Sequence, residues 1–263
     1  MNILDKIVAH KHTEVDNLKK SFSRKDLEAL PGFSGEVPSL SLFLLEESKS
    51  GIIAEFKRKS PSKGFINEHA VAKDVVPFYE KAGASAISVL TDSRFFGGDT
   101  YDLITARNCT TIPILRKDFI LDEMQILEAR GIGASAILLI ASILTKEEVH
   151  QLAGFARSLG LEVLFEIHNE EELQKLSPHV NVVGVNNRNL ATFKVSIENS
   201  KSLSDKIPSE FVKISESGIS NVSAIQELRE YGFKGFLIGE NFMKTPDPGQ
   251  ACIDFIKLLA AGK

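Results

Sequence analysis

The chain has 263 residues, 43% of them hydrophobic and 25% charged, with a net charge of −4. That balance is expected of a soluble globular protein with a sizeable core, and it gives no reason to expect nucleic acid or an anionic membrane as partner. No apolar run approaches the roughly 20 residues of a membrane span, and two cysteines, Cys109 and Cys252, make a disulfide framework unexpected and a reducing cytoplasm the natural setting.

The opening stretch, MNILDKIVAHKHTEVDNLKK, has a charged amphipathic pattern and no signal-peptide apolar region. His10 and His12 lie two apart on this predicted helix and face different ways, and the six histidines form no HExxH or His/Cys cluster, so no metal site is expected. Residues 1–48 are expected to be a helical extension that caps the domain after it.

From residue 49 a rhythm sets in. Short apolar runs recur at 52–57, 86–91, 113–119, 136–142, 162–168, 182–188, 211–218 and 236–242. Between them lie helix-like stretches such as 145–160 and 220–232, each opening on a Thr or Ser cap and closing on Gly. The phrase GASAI occurs at 83–87 and again at 133–137, each time where a helix should end and a strand begin. Near-continuous apolar strands alternating with amphipathic helices mean a parallel sheet covered by helices, and eight such units predict a closed (β/α)8 barrel over 49–263. An open doubly wound sheet is the alternative, but no GxGxxG follows the first strand. No linker rich in Pro, Gly or Ser marks off a second domain.

In such a barrel the site is built where strands end. Strand 1 delivers Glu55 and Lys57 there, strand 3 Lys117 and Asp118, strand 5 Glu166, strand 6 Asn186 and Arg188, strand 7 Glu216 and Ser217, and strand 8 Glu240. A single lysine at a strand end is as readily explained by solvation. Glu55, Lys57, Lys117 and Glu166 together are not, because buried carboxylates and lysines are rare unless paired or functional. Gly218 and Gly239 open turns that run into helix starts after strands 7 and 8, where backbone N–H groups favour an anion such as phosphate. KRKSPSK could be a nuclear signal or a phosphorylation site, but its place directly on a buried strand argues against both. Phe96 and Phe119 are core residues by default; just after strands 2 and 3 they could wall an aromatic pocket.

The blocks IIAEFKRKSPSKG, SVLTDSRFFGG, PILRKDFI, LLIASIL, VLFEIHN, GVNNRNL, SESGI and LIGENFM, in that order, resemble the indole-3-glycerol-phosphate synthases over essentially the full length. Two departures stand beside them: Asn241 and Phe242 follow Gly239–Glu240 where a Ser-Leu pair is usual, and Lys59 stands where a small residue is frequent. The resemblance implies a cofactor-free carboxy-lyase of tryptophan synthesis. Its substrate would be 1-(2-carboxyphenylamino)-1-deoxyribulose 5-phosphate, and its products indole-3-glycerol phosphate, carbon dioxide and water. By resemblance Lys117 is the general acid, Lys57 shares that role and holds the carboxylate, Glu166 is the base for dehydration, and Glu55 orients the lysines. Asn186 and Arg188 would orient substrate, and Glu216 and Ser217 hydrogen-bond it. Ser60, Gly218, Gly239 and Glu240 would contact phosphate, while Phe96, Phe119, Leu138 and Leu190 bracket the anthranilate ring. The resemblance leaves room for association with another tryptophan-pathway enzyme. A phosphoribosylanthranilate isomerase would use a Cys and an Asp at strand ends, and no cysteine lies at one. A silent ligand-binding barrel would be expected to have lost part of the Glu55, Lys57, Lys117, Glu166 set, and none is missing.

Overall fold

The computed structural model describes residues 3–189 and 194–262. Eight parallel strands close into a barrel: β1 Ile52–Phe56, β2 Ala86–Leu90, β3 Ile114–Lys117, β4 Ala136–Ile140, β5 Glu162–Ile167, β6 Val182–Asn186, β7 Val212–Glu216 and β8 Gly235–Ile238. Each strand pairs with its sequence neighbour, and β8 returns to β1 with Ile52 opposite Phe236. The strands are shorter than the apolar runs suggest. Polar residues such as Asp118 and Ser217 leave the ladder and begin loops.

Side-chain alternation sorts every strand into two faces. Ile52, Ala54, Val163, Phe165, Val183 and Val185 join a large cluster that faces the helices. Ile53, Leu115, Leu138, Leu164, Val182, Ile214 and Leu237 fill the barrel instead. Glu55, Lys117, Glu166, Asn186 and Glu216 each lie two residues beyond an inward position, or four beyond one in the case of Asn186. A sequence that is apolar at the base of the inner face becomes charged at its top.

Helices follow most strands: α4 Ala72–Lys81, α5 Thr100–Cys109, α6 Glu123–Gly131, α7 Lys146–Ser158, α8 Glu198–Leu203, α9 Val222–Glu230, and the pair α10 Glu240–Met243 and α11 Pro248–Ala261. Thr145 caps α7 in a capping box with Glu148. α9 is capped by Asn221 and not by Ser220, because an Asn side chain also reaches the N3 backbone and lies one residue nearer the helix. After β5 the expected helix is only the 3-10 turn Glu171–Lys175. The two GASAI phrases carry a structural task. Gly83 and Gly133 take φ of 92° and 93° as helix-ending glycines. Ser85 and Ser135, fully buried, then accept hydrogen bonds from Gly51 N and Ile114 N at 2.8 and 3.1 Å, pinning the bases of adjacent strands.

Ahead of β1 lie α1 Ile3–Ser21, α2 Arg24–Glu28, a 3-10 turn Pro31–Ser34 and α3 Leu40–Leu45. α3 closes the base of the barrel: Leu40 and Leu44 are buried with Ile53, Ala86 and Ile214. Glu162, at the start of β5, accepts from Ser41 N at 2.7 Å and Ser41 Oγ at 2.8 Å. α1 lies at the opposite end. Its Lys11 is buried and pairs with Asp118 at 2.8 Å and Asp92 at 3.0 Å.

Candidate active site

At the C-terminal ends of the strands a cleft of about 510 Å³ opens. Every candidate residue named from the sequence lines it except Leu190, which lies outside the described residues. The charged floor has two linked parts. Lys57 Nζ donates to Glu55 Oε1 at 2.6 Å, and Ser88 Oγ to Glu55 Oε2 at 3.4 Å. Lys117 Nζ donates to Glu166 Oε2 at 2.7 Å and lies 3.1 Å from Glu216 Oε2. Glu55 thus holds Lys57 directly and reaches Lys117 only through its field. Asn186 Nδ2 donates to Glu166 Oε1 at 3.2 Å, and its own Oδ1 is fixed by Arg188 N at 3.0 Å.

Burial and charge push these groups apart. Burial works against a charged Lys117, but Glu166, Glu216 and Glu55 raise its pKa above the ordinary lysine value, so it enters any reaction as a cation. Burial would likewise raise Glu166, yet Lys117 and then His168 hold it below the usual carboxylate range. For Glu216 burial prevails over Lys117, and the charge of Glu166 adds to it, so its pKa rises. Two carboxylates on one lysine are thereby set for different work, one fixed as an anion and one able to carry a proton.

Room for these carboxylates comes from glycine. A Cβ on Gly184 of β6 would collide with Glu216 Oε1, and one on Gly239 would come within 2.5 Å of Glu55 Oε1. Ser217 has φ 66°, the only positive value among non-glycine described residues. Such left-handed strain gathers at functional sites, and Asn187 Nδ2 holds Ser217 O at 3.1 Å.

One end of the cleft is apolar. Phe96 and Phe119 lie with ring centroids 5.9 Å apart, beside Leu138, and α1 contributes Ile3, Leu4 and Ile7. The other end is built for an anion. Ser60 Oγ is buried with no hydrogen-bond partner among the described residues. It lines the cleft with Gly218, Gly239 and Glu240, and Lys63 bridges to Glu240 at 2.7 Å. Gly239 is the N-cap of α10, but Gly218 does not run straight into a helix, since α9 starts only at Val222. The cations after β1 also divide. Lys57 serves the floor, whereas Arg58 turns to Asp102 at 2.8 Å and Lys59 to Arg94 O at 3.1 Å. Asp118, at the end of β3, serves Lys11 and Arg116 instead of the floor.

Sequence reasoning missed His168, the α1 residues and Gly184. His168 lies two residues beyond Glu166 on the same face, and that period-two spacing is the signal that marks it.

A family model described as indole-3-glycerol phosphate synthase matches residues 4–255. Proteins of that name are similar along nearly all of the chain. The one from Bacteroides thetaiotaomicron is 49% identical over 98% of this chain and 99% of its own length. Those from Prochlorococcus marinus subsp. pastoris and Polynucleobacter asymbioticus are 44% and 42% identical, over 94% and 95% of this chain and 86% and 97% of theirs. Among solved structures, tryptophan synthase subunit alpha from Legionella pneumophila superposes with a TM-score of 0.61 at 14% identity. It covers 84% of this chain and 97% of its own, a likeness of fold alone.

Proposed function

Because the chain belongs to the indole-3-glycerol phosphate synthase family, we propose that its charged floor carries out that family's ring closure, decarboxylation and dehydration with the residues named above. The enzyme is a carboxy-lyase of tryptophan biosynthesis acting on a phosphorylated small molecule. The observation that carries the assignment of roles is the placement of Lys117 on Glu166 and Glu216 in the same cleft as the Lys57–Glu55 pair.

In the first step the ring carbon bearing the carboxylate attacks the ribulose carbonyl, and negative charge grows on its oxygen. Lys117, held charged by three carboxylates, stabilises that oxygen and protonates it. Lys57 pairs with the departing carboxylate group, and loss of carbon dioxide restores the aromatic ring. In the dehydration Glu166 accepts a proton while an acid assists the leaving hydroxide; the raised pKa of Glu216 suits it to hold the proton needed there. Phe96, Phe119 and Leu138 hold the anthranilate ring, and Ser60, Gly218, Gly239 and Glu240 hold the phosphate at the far end, so that the open-chain sugar folds back on the ring. Positioning of this kind supplies several kcal/mol.

Residues 1–48 are part of the same domain in this reading, since α1 walls the cleft and α3 closes the barrel base. A cytoplasmic setting suits the two free cysteines. Docking onto another enzyme of tryptophan synthesis accords with the family, and co-sedimentation would detect it. The assignment is tested by supplying the carboxyphenylamino-deoxyribulose phosphate and following indole fluorescence. The chain has no Trp, so new indole emission reports product alone. No emission from folded enzyme would overturn it.

A further inference from the structure

His168 stands at the end of β5 with its ring between two carboxylates. Nε2 is 3.6 Å from Glu166 Oε1 and Nδ1 is 3.6 Å from Glu172 Oε2. The side chain is only 12% exposed, and neither ring nitrogen has a hydrogen-bond partner among the described residues. The backbone fixes the arrangement, for His168 N donates to Glu172 Oε2 at 2.6 Å and His168 O accepts from Asn199 Nδ2 at 3.1 Å. Glu172 N in turn donates to Asn169 Oδ1 at 3.0 Å. A largely buried imidazole with a carboxylate beside each ring nitrogen is placed to be a cation.

The contacts of Glu166 give that cation a purpose. Lys117 lies at its Oε2 and His168 at its Oε1. When Lys117 gives its proton to the substrate oxygen, Glu166 loses the charge on its Oε2 side. A buried carboxylate left alone then draws a proton and ceases to be a base. We propose that His168 is a positioning residue whose imidazolium, facing Glu166 Oε1, keeps Glu166 ionised after Lys117 has discharged, so that the base remains available for dehydration. The inference rests on the roles given above to Lys117 and Glu166. His168 acts through Glu166 and need not touch the reacting atoms.

Titration accords with this geometry. Burial alone would lower the His168 pKa, but Glu172, Glu166 and, more remotely, Glu216 raise it above the ordinary histidine value. As pH rises through that raised value the imidazolium is lost, and Lys117 is then the one cation on Glu166 among the described residues, beside the neutral Asn186 amide.

The test uses the full chain with His168→Gln, which keeps polarity and reach but carries no charge. We expect kcat to fall about tenfold with KM within about threefold, because substrate binding is not the step affected. The acidic limb of the kcat profile should move upward by about one pH unit, as Glu166 becomes easier to protonate. The alkaline decline that His168 titration causes in the wild type should disappear. NMR titration of the His168 ring in the wild type should give a pKa above the ordinary 6.5, and Glu172→Gln should lower it. Superimposable pH profiles for wild type and His168→Gln, or a ring titrating at or below the ordinary value, would overturn the inference. Glu166→Gln separates it from the reading beneath it. If that variant turns over normally, the base assignment itself fails; if it is inactive while the limb in His168→Gln stays put, only the role of His168 fails.

Discussion

Gly184→Ala tests the charged floor without touching a charged residue. The new methyl carbon would overlap Glu216 Oε1 and stand 3.3 Å from its Cδ and 3.0 Å from Leu164 Cδ1. Leu164 is packed inside the barrel whereas Glu216 borders the cleft, so the carboxylate yields first. Ordinary contact distances require it to retreat by roughly 1.2 Å. The Lys117–Glu216 separation then grows from 3.1 Å to about 4.3 Å, and the attraction falls from about 5.4 to about 3.9 kcal/mol at an effective dielectric constant of about 20. If that difference is felt in the transition state, kcat/KM falls about tenfold. The assay is steady-state indole fluorescence on Gly184→Ala, Glu216→Gln and the double variant, with thermal unfolding to check the fold. The double variant should be little worse than Glu216→Gln, since both changes disturb one interaction. Additive losses, or activity within twofold of wild type for Gly184→Ala, would refute the reasoning.

Lys117→Ala should abolish turnover and leave the fold intact by circular dichroism, a loss of at least 10²-fold being typical of a general acid; retention of more than about a tenth of activity would sink its role. In crystals grown from sulfate or phosphate, the anion should sit between the turns at Gly218 and Gly239, beside Ser60 Oγ. An anion found only at the α3 end of the barrel would count against the phosphate subsite. Lys11→Ala should destabilise by about 3–5 kcal/mol at neutral pH, because it removes the buried cation from Asp92 and leaves Asp118 with Arg116 as its remaining cation. Burial tends to raise the Asp118 pKa, yet Lys11 and then Arg116 hold it below the ordinary value. Its contribution is therefore present above the unfolded carboxylate pKa and lost as pH falls through the folded one. The deficit in Lys11→Ala, followed by denaturant titration, should shrink below about pH 4; a constant deficit from pH 7 to 3 would exclude this linkage.

The barrel is legible in the sequence because a strand covered on both faces must be apolar at nearly every position, and eight such runs leave few architectures. The floor is legible for the converse reason: Glu55 and Glu166 interrupt strands where burial makes a charge conspicuous. Other features depend on partners that local pattern does not reveal. Asp118 reads as part of the polar ring until Lys11 of α1 is seen to claim it. The missing helix after β5 follows from the few residues between Asn169 and Pro178, too short for three turns. Gly184 looks like an ordinary interior glycine of a strand until the carboxylate from β7 is placed beside it. The cap of α9 slipped from Ser220 to Asn221 because both residue types can cap, and spacing alone does not choose between them.

The anchorage of α1 by Lys11 has a consequence for the order in which the protein is made. Lys11 leaves the ribosome well before either of its partners; at about 5–20 residues per second, Asp118 follows roughly 5–20 s later. The base plug waits longer still, because Leu40 and Leu44 pack against Ile214, and β1 closes the sheet only when Phe236 arrives opposite Ile52. α1 and α3, made before the barrel strands, are thus among the last segments to reach their final contacts. Throughout that interval Ile3, Leu4 and Ile7 have no cleft to line, and chaperones that meet the nascent chain would find an apolar handle in α1.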